Sequence, residues 1–216
     1  MGAVVKQFRI LMGVFLSYAV LFFPAPALAE KVYDGADAGY LVYSIGTIVR
    51  PMTFSFLYRK VPKDAKPKWN GSMSCDCMAS HWWTAETYPK DIDYSGRESG
   101  FVVVEKLPPG QYEIYNYGIT GTNIVSTINW SSNVPFSIPF NIEPGKATYI
   151  GNFARGCWCA RSTAIADYLG YFVISDNSTR DLAIARTKEP ALPEVNIDVW
   201  DAAKLNSPIF FTSEPQ

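Results

Sequence analysis

Apolar and polar residues alternate along two separate stretches of this 216-residue chain, which is the pattern of half-buried β-strands. In residues 52–58 and in residues 134–140, the even-numbered positions are apolar or aromatic. Residues 101–104 are instead continuously apolar, which predicts a strand that is covered on both faces. Further strands are predicted at residues 40–45, 112–117, 147–153 and 171–175. The chain is therefore expected to be mainly β.

The second alternating stretch carries two prolines on one side. Pro135 and Pro139 have no N–H group, and in a strand their nitrogen atoms point to the same side as that of Ser137. That side cannot form a regular hydrogen-bonded ladder. Residues 134–140 are therefore predicted to form an edge strand.

A Pro-Gly pair precedes two of the predicted strands. Pro109-Gly110 stands before residues 112–117, and Pro144-Gly145 stands before residues 147–153. Proline fixes φ and glycine permits a positive φ, so each pair predicts a tight turn. The two turns are expected to belong to stacked hairpins.

One helix is predicted near the C-terminus. Residues 178–181 (STRD) fit a capping box in which Asp181 takes the acidic position, and Pro190 ends the helix-favouring run 182–188. Beyond Pro190, residues 195–200 are expected to add a strand and residues 201–205 a helical turn.

The first 29 residues are organised like an export signal. Lys6 and Arg9 give a positively charged start, residues 10–23 are mainly apolar, and Ala27 and Ala29 form a small-x-small cleavage site. The apolar run is shorter than the roughly 20 residues of a membrane-spanning helix. We therefore expect residues 1–29 to be a signal peptide and residues 30–216 a single domain with no transmembrane span. This predicts a periplasmic or secreted protein.

The composition excludes several functional classes. With 48% apolar, 15% aromatic and 18% charged residues, the chain has enough apolar surface for a core and is not of the disordered type. A formal net charge of −1 argues against a nucleic-acid partner. Because no nucleophile, metalloprotease or nucleotide-binding motif is present, the chain is predicted not to be an enzyme.

The four cysteines form two C-x-C pairs, Cys75 with Cys77 and Cys157 with Cys159. In an exported protein, disulfides between the pairs are the leading interpretation, since residues i and i+2 of an extended segment face the same way. One alternative is a zinc or copper site with the four thiolates and His81 as ligands. Another is a set of reactive thiols. The spacing leaves these alternatives open.

Aromatic and basic residues near the first cysteine pair are candidate binding residues. Trp82 and Trp83 can stack on sugar rings, although they can equally cover the core. The basic candidates share one short stretch and are Lys63, Lys66 and Lys68. This stretch suits an anionic partner, or else a solvated hairpin loop.

Residues 105–114 (EKLPPGQYEI) resemble the L-x-P-G-x-Y start of a strand in prealbumin-like and carboxypeptidase-regulatory-like β-sandwich modules. Residues 140–153, which contain PGK and YIG, are similar to the next hairpin in exported bacterial proteins of this kind. The resemblance implies an Ig- or prealbumin-like sandwich with an accessory, adhesive or structural role. It supplies no catalytic centre.

The expected fold is thus an antiparallel β-sandwich with one short C-terminal helix and two irregular cysteine-bearing insertions. The expected function is that of an exported, non-catalytic cell-envelope binding or structural module without a cofactor, whose partner is an unidentified envelope protein or glycan. The alternative is a periplasmic metal-binding or thiol-redox protein that uses the two C-x-C pairs.

Overall fold

The computed structural model describes residues 33–48, 53–64, 66, 68–76, 91–94, 98–122, 127–156, 170–205 and 207–213. The strands in these ranges are β1 (Gly39–Thr47), β2 (Thr53–Val61), β3 (Asn70–Asp76), β4 (Ile92–Tyr94), β5 (Glu98–Leu107), β6 (Gly110–Thr122), β7 (Thr127–Ser131), β8 (Ile138–Ile142), β9 (Ala147–Gly156), β10 (Tyr171–Ser175), β11 (Val195–Ile197) and β12 (Phe210–Phe211). The helix α1 (Ser178–Lys188) and a 3₁₀ turn (Ala202–Leu205) follow β10 and β11, respectively. No helix in these ranges is long and apolar enough to cross a membrane.

Several sequence-based predictions fall on other parts of the chain. The predicted signal peptide and its cleavage site lie outside the described residues. The same holds for the candidate site residues Cys77, His81, Trp82, Trp83, Cys157 and Cys159. These assignments stay predictions.

The strands form two sheets that stack as a sandwich and do not close into a barrel. The first sheet has the order β12-β10-β9-β1-β5-β4, with β11 also beside β9. The second sheet has the order β3-β2-β6-β7, with β8 also beside β6. The prediction of a mainly β, sandwich-like protein with one short C-terminal helix is confirmed.

The first sheet is mixed, whereas the sequence predicted antiparallel strands. β9 runs parallel to β1 and to β11, and β10 runs parallel to β12. The Gly145 N–H donates to the Ala38 carbonyl (3.1 Å) and the Tyr40 N–H donates to the Lys146 carbonyl (2.9 Å). Because β1 and β9 start side by side, they run in the same direction. The described strand pairs of the second sheet are all antiparallel.

The two Pro-Gly turns connect the sheets and do not close hairpins, so that prediction is wrong. Pro109-Gly110 leads from β5 in the first sheet to β6 in the second, and Pro144-Gly145 leads from β8 in the second sheet to β9 in the first. Gly110 has a φ of 145° and Gly145 a φ of 65°, both in the region that favours glycine. The sequence predicts a turn here, but a turn motif does not specify which sheet the next strand joins.

The aromatic alternation of β2 points into the space between the sheets. Phe54, Phe56 and Tyr58 are at most 1% exposed. The rings of Phe54 and Phe56 lie 4.7–5.5 Å, centroid to centroid, from those of Phe153 and Phe172 on the first sheet. Burying each such side chain contributes roughly 1.5–3 kcal/mol, so this aromatic cluster holds the two sheets together.

The first sheet is covered on both faces at its centre. Leu41 of β1 faces the core between the sheets, whereas its neighbour Val42 lies in a second cluster with Leu182 of α1. In β5, Val103 packs against the first cluster and Val102 belongs to the second. The prediction that residues 101–104 are covered on both faces is therefore confirmed.

The predicted edge strand exists but starts later than expected. Among the described strands, β8 pairs only with β6, which agrees with an edge position. Its buried residues alternate with exposed ones from Ile138 onward. Val134, predicted on the same buried face, is instead 73% exposed. The reason is a local turn in which the Ser132 hydroxyl donates to the Val134 carbonyl (2.5 Å) before the strand begins.

The helix is in the predicted place, but its capping differs from the prediction. Ser178 is the first helical residue, and its N–H donates to a carboxylate oxygen of Asp176 (2.9 Å). Hydrogen bonds from the Ser178 side chain and from its N–H lower the pKa of Asp176. Asp181 is fully buried and bonds to the first sheet, so no capping box forms. The carboxylate that the sequence pattern assigned to the helix cap instead bonds to side chains of the first sheet.

Candidate functional site

A cluster of buried polar side chains joins α1 to the first sheet. Asp181 Oδ2 accepts hydrogen bonds from the Ser44 hydroxyl (2.5 Å) and the Tyr149 hydroxyl (2.6 Å), and Asp181 Oδ1 accepts one from Arg180 Nε (2.6 Å). Ser44 Oγ also lies 2.8 Å from Asn152 Oδ1. Burial, with the nearby Asp181 carboxylate, raises the pKa of Tyr149.

This cluster has the geometry of a structural anchor. Both oxygens of Asp181 are occupied by donors from β1, β9 and α1 itself, and Ser44, Tyr149 and Asp181 are all fully buried. A buried carboxylate with all its partners present fixes the position of a helix on a sheet. No local sequence pattern indicated this anchor, because its members are distant in the chain.

The strand registers identify one end of the sandwich as the end that carries Cys75. Thr47, at the end of β1, is opposite Arg155 near the end of β9. Thr53, at the start of β2, is opposite Asp76 at the end of β3. Since only residues 48–52 separate β1 from β2, all these strand ends meet at one end, which we call the cysteine end.

Cys75 is fully buried at the cysteine end and is held in a disulfide. Its partner sulfur lies outside the described residues, so the connectivity of the four cysteines stays a prediction. A cysteine in a disulfide does not offer a thiolate to a metal ion. Within the described part of the chain, no group of three or more His, Cys, Asp or Glu side chains is placed to hold a metal.

Arg155 is also buried at the cysteine end. It lies two residues after Phe153 on β9, and residues so spaced in a strand share a face, so its side chain enters the space between the sheets. Burial lowers the pKa of Arg155 to about 10. Sequence reasoning missed this residue, since nothing in its local pattern distinguishes it from a surface arginine.

The candidate lysines lie on the turn between β2 and β3, which we call the lysine hairpin (residues 62–69). Lys63, Lys66 and Lys68 are all exposed. The base of the hairpin is well fixed: the Lys60 N–H donates to the Trp69 carbonyl (2.9 Å), and Trp69 is only 8% exposed. Exposed lysines next to this fixed base form a basic surface.

The lysine hairpin and Cys75 are at opposite ends of β3. Their separation follows from the length of the strand, because β3 has seven residues from Asn70 to Asp76 and each advances about 3.4 Å. The sequence analysis grouped the candidate lysines and aromatics near the first cysteine pair. The structure instead brings the three lysines together at a site separate from Cys75.

The outer face of the second sheet adds a charged cluster next to the lysine hairpin. Arg59 donates to Glu113 (2.7 Å) and its guanidinium lies 4.2 Å from the ring centroid of Tyr115, while Ser137 also donates to Glu113 (2.8 Å). Burial raises the pKa of Glu113, but the hydrogen bonds and the positive charges of Arg59 and Lys63 outweigh it, so the pKa lies below its usual value.

Comparisons with other proteins add little to this geometry. No protein-family model and no curated protein matches the chain. Among solved structures, the crystal structure of a leucine-rich repeat protein from Bacteroides thetaiotaomicron is 11% identical to this chain, with a TM-score of 0.31. The match covers 55% of this chain and 14% of that protein. The fold and the candidate site thus define a β-sandwich protein with a basic hairpin at one end.

Proposed function

We propose that the protein is an exported, non-catalytic cell-envelope binding module that binds an acidic polysaccharide through the lysine hairpin. The observation that carries the proposal is the placement of Lys63, Lys66 and Lys68, all exposed, on one turn whose base is fixed by the Lys60–Trp69 hydrogen bond. Asp64 is the acidic residue on the same turn. A local excess of positive charge attracts polyanions even when the whole chain is close to neutral.

The surroundings of the hairpin favour a polysaccharide over a lipid bilayer. Proteins that lie on membranes insert apolar side chains below the headgroups. Among the described residues, the large apolar side chains with high exposure are Val134 and Ile197, and neither belongs to the lysine hairpin. A polymer of anionic sugars needs only the charges and hydrogen-bond donors that the hairpin offers.

The export part of the proposal rests on the signal-like N-terminus and on Cys75. The first 29 residues have the charge, length and small-residue pattern of a cleaved signal. A buried disulfide at Cys75 suits an oxidising compartment such as the periplasm or the cell exterior. The same disulfide argues against the thiol-based alternatives, in which Cys75 acts as a metal ligand or as a free exchanging thiol.

The experiment is a comparison of two charge-matched double variants. Lys66→Gln with Lys68→Gln removes two charges from the lysine hairpin, and Arg186→Gln with Lys204→Gln removes two charges elsewhere on the described surface. Calorimetry measures binding to polygalacturonate at two salt concentrations. Two exposed ion pairs contribute up to about 1 kcal/mol each, so we expect roughly fivefold to tenfold weaker binding for the hairpin variant.

The control variant should bind like the original protein. The hairpin variant should also show a weaker dependence of affinity on salt, because fewer ion pairs form with the polymer. Equal losses in both variants would mean that net charge alone is sensed. If the protein binds vesicles with anionic phospholipid but not polygalacturonate, the proposed polysaccharide partner is wrong and the partner is a membrane.

A further inference from the structure

A cleft of about 440 Å³ lies beside the lysine hairpin, at the end of the sandwich opposite Cys75. It is lined by the residues that precede β1, by the end of β5, by the turn at Gly145 and by the chain after α1. Tyr33 lines the cleft and its ring contacts Trp69 of the lysine hairpin, with ring centroids 5.7 Å apart. The cleft and the hairpin are therefore neighbouring parts of one surface.

Two central strands hold the key side chains of the cleft. Tyr40 of β1 and Lys106 of β5 are directly opposite each other in the antiparallel ladder. The Lys106 ammonium lies 5.4 Å from the centroid of the Tyr40 ring, within the range of a cation–π contact. Side chains placed by paired strands are more firmly positioned than side chains on loops. Their arrangement therefore exists before any ligand binds.

The cleft also contains an acidic side chain. Asp34 lines the cleft and is exposed, and the neighbouring Tyr33 hydroxyl donates to Asp37 (2.6 Å). The cleft therefore combines a cation, tyrosine rings and a carboxylate within a volume typical of small-molecule sites. A dense polyanion such as a phosphate cluster would be repelled by Asp34. A sugar ring with one negative charge is compatible with all three groups.

We propose that this cleft binds one uronic-acid residue of the acidic polysaccharide, an assignment that rests on the proposed function for the polymer itself. The sugar carboxylate meets the Lys106 ammonium, a ring hydroxyl donates to Asp34, and the C–H face of the pyranose lies against Tyr40 or Tyr33. The lysine hairpin then holds the anionic sugars that extend past the cleft on the Tyr33 side. The hairpin supplies attraction, and the cleft supplies selectivity for a charged sugar.

The test uses a short probe that separates the cleft from the hairpin. Trigalacturonate is titrated into the protein and compared with neutral maltotriose, with the binding site located by NMR shifts. Lys106→Met keeps the aliphatic stem but removes the charge, and Lys204→Met is the matched control. Removal of a charge-assisted hydrogen bond should weaken trigalacturonate binding about tenfold in Lys106→Met and leave the control unchanged.

Asp34→Asn provides a second variant, on an exposed residue of the cleft. Because the amide accepts a sugar hydroxyl less well than the carboxylate, we expect about threefold weaker binding. Far-UV circular dichroism and urea unfolding check that both variants keep the fold. The Lys66→Gln with Lys68→Gln variant should weaken polygalacturonate binding but change trigalacturonate affinity less than about twofold.

The outcomes distinguish this proposal from the proposed function. Polymer binding without any trigalacturonate binding, or unchanged affinity in Lys106→Met, overturns the cleft assignment and leaves the hairpin proposal standing. Trigalacturonate binding that depends on Lys106, without polymer binding, supports the cleft and refutes the polymer-binding role of the hairpin. Equal affinity for maltotriose overturns the requirement for a charged sugar.

Discussion

Replacing the buried Asp181 is the most stringent test of how α1 is held on the first sheet. In the Asp181→Ala variant, the hydroxyls of Ser44 and Tyr149 lose their common acceptor, and Arg180 Nε loses its carboxylate partner. Both hydroxyls belong to fully buried residues, so water cannot replace the acceptor without a structural change. The variant is therefore expected to be strongly destabilised.

The magnitude follows from the number and kind of hydrogen bonds that the substitution removes. Each hydrogen bond to a charged group contributes roughly 1.5–3 kcal/mol, and removing one member of a buried charged pair costs about 3–5 kcal/mol. The Arg180 side chain is 25% exposed and stays partly hydrated, which reduces the loss. We expect Asp181→Ala to lower the free energy of unfolding by about 4 kcal/mol.

The assay is urea unfolding followed by circular dichroism and tryptophan fluorescence. Asp198→Ala is the matched control, since Asp198 is exposed and its change should cost less than about 0.5 kcal/mol. Tyr149→Phe removes one donor and keeps the ring, so we expect a loss of about 1–2 kcal/mol. A loss below about 1 kcal/mol in Asp181→Ala would refute the anchor, because even one buried, unsatisfied hydroxyl costs more.

Three further predictions concern other parts of the fold. Arg59→Met should raise the pKa of Glu113, as measured by NMR titration. The ionised Glu113 stabilises the fold at neutral pH, and this stabilisation is lost as the pH falls through its folded-state pKa. The variant should therefore have a smaller free energy of unfolding at neutral pH. Asp91→Ala should speed hydrogen exchange at the Val102 N–H, which donates to the Asp91 carboxylate (2.8 Å), with little change in urea stability because that site is partly exposed. Gly145→Ala should cost about 1–2 kcal/mol in the same unfolding assay, from the positive φ alone, because no atom lies within 4 Å of the added Cβ.

Each of these predictions has a result that would contradict it. An unchanged Glu113 pKa would show that Ser137, Lys63 and burial set its value without Arg59. Unchanged exchange at Val102 would mean that the amide is protected without Asp91. A Gly145→Ala variant as stable as the original protein would show that the turn can adopt another conformation.

The alternating aromatic pattern was enough to predict the strands that form the core. β2 lies where its alternating pattern placed it, because burying one face of a strand requires period-two spacing whatever the partner strand is. β3, β4, β7 and β12 were not predicted. β3 is short and rich in Ser and Gly, and its pairing with β2 is what makes it a strand.

The candidate site was only partly accessible from the sequence. The basic stretch and its hairpin position were predicted, because closely spaced charges beside proline favour a solvated turn. The opposition of Tyr40 and Lys106 was not, because it depends on the register between β1 and β5, which are far apart in the chain. The Asp181 anchor was missed for the same reason, since Ser44 and Asp181 are 137 residues apart.

The sequence by itself thus determined where most of the core strands lie, where the helix lies and which turn carries the positive charge. These properties depend on local chemistry: the period of apolar residues, the φ restriction of proline and the solvation of lysine. Only the tertiary structure decided that the first sheet is mixed, that the Pro-Gly turns pass between sheets, and that the lysines and Cys75 lie at opposite ends. Those properties depend on which strands pair, and pairing is set by the packing of residues that are distant in the chain.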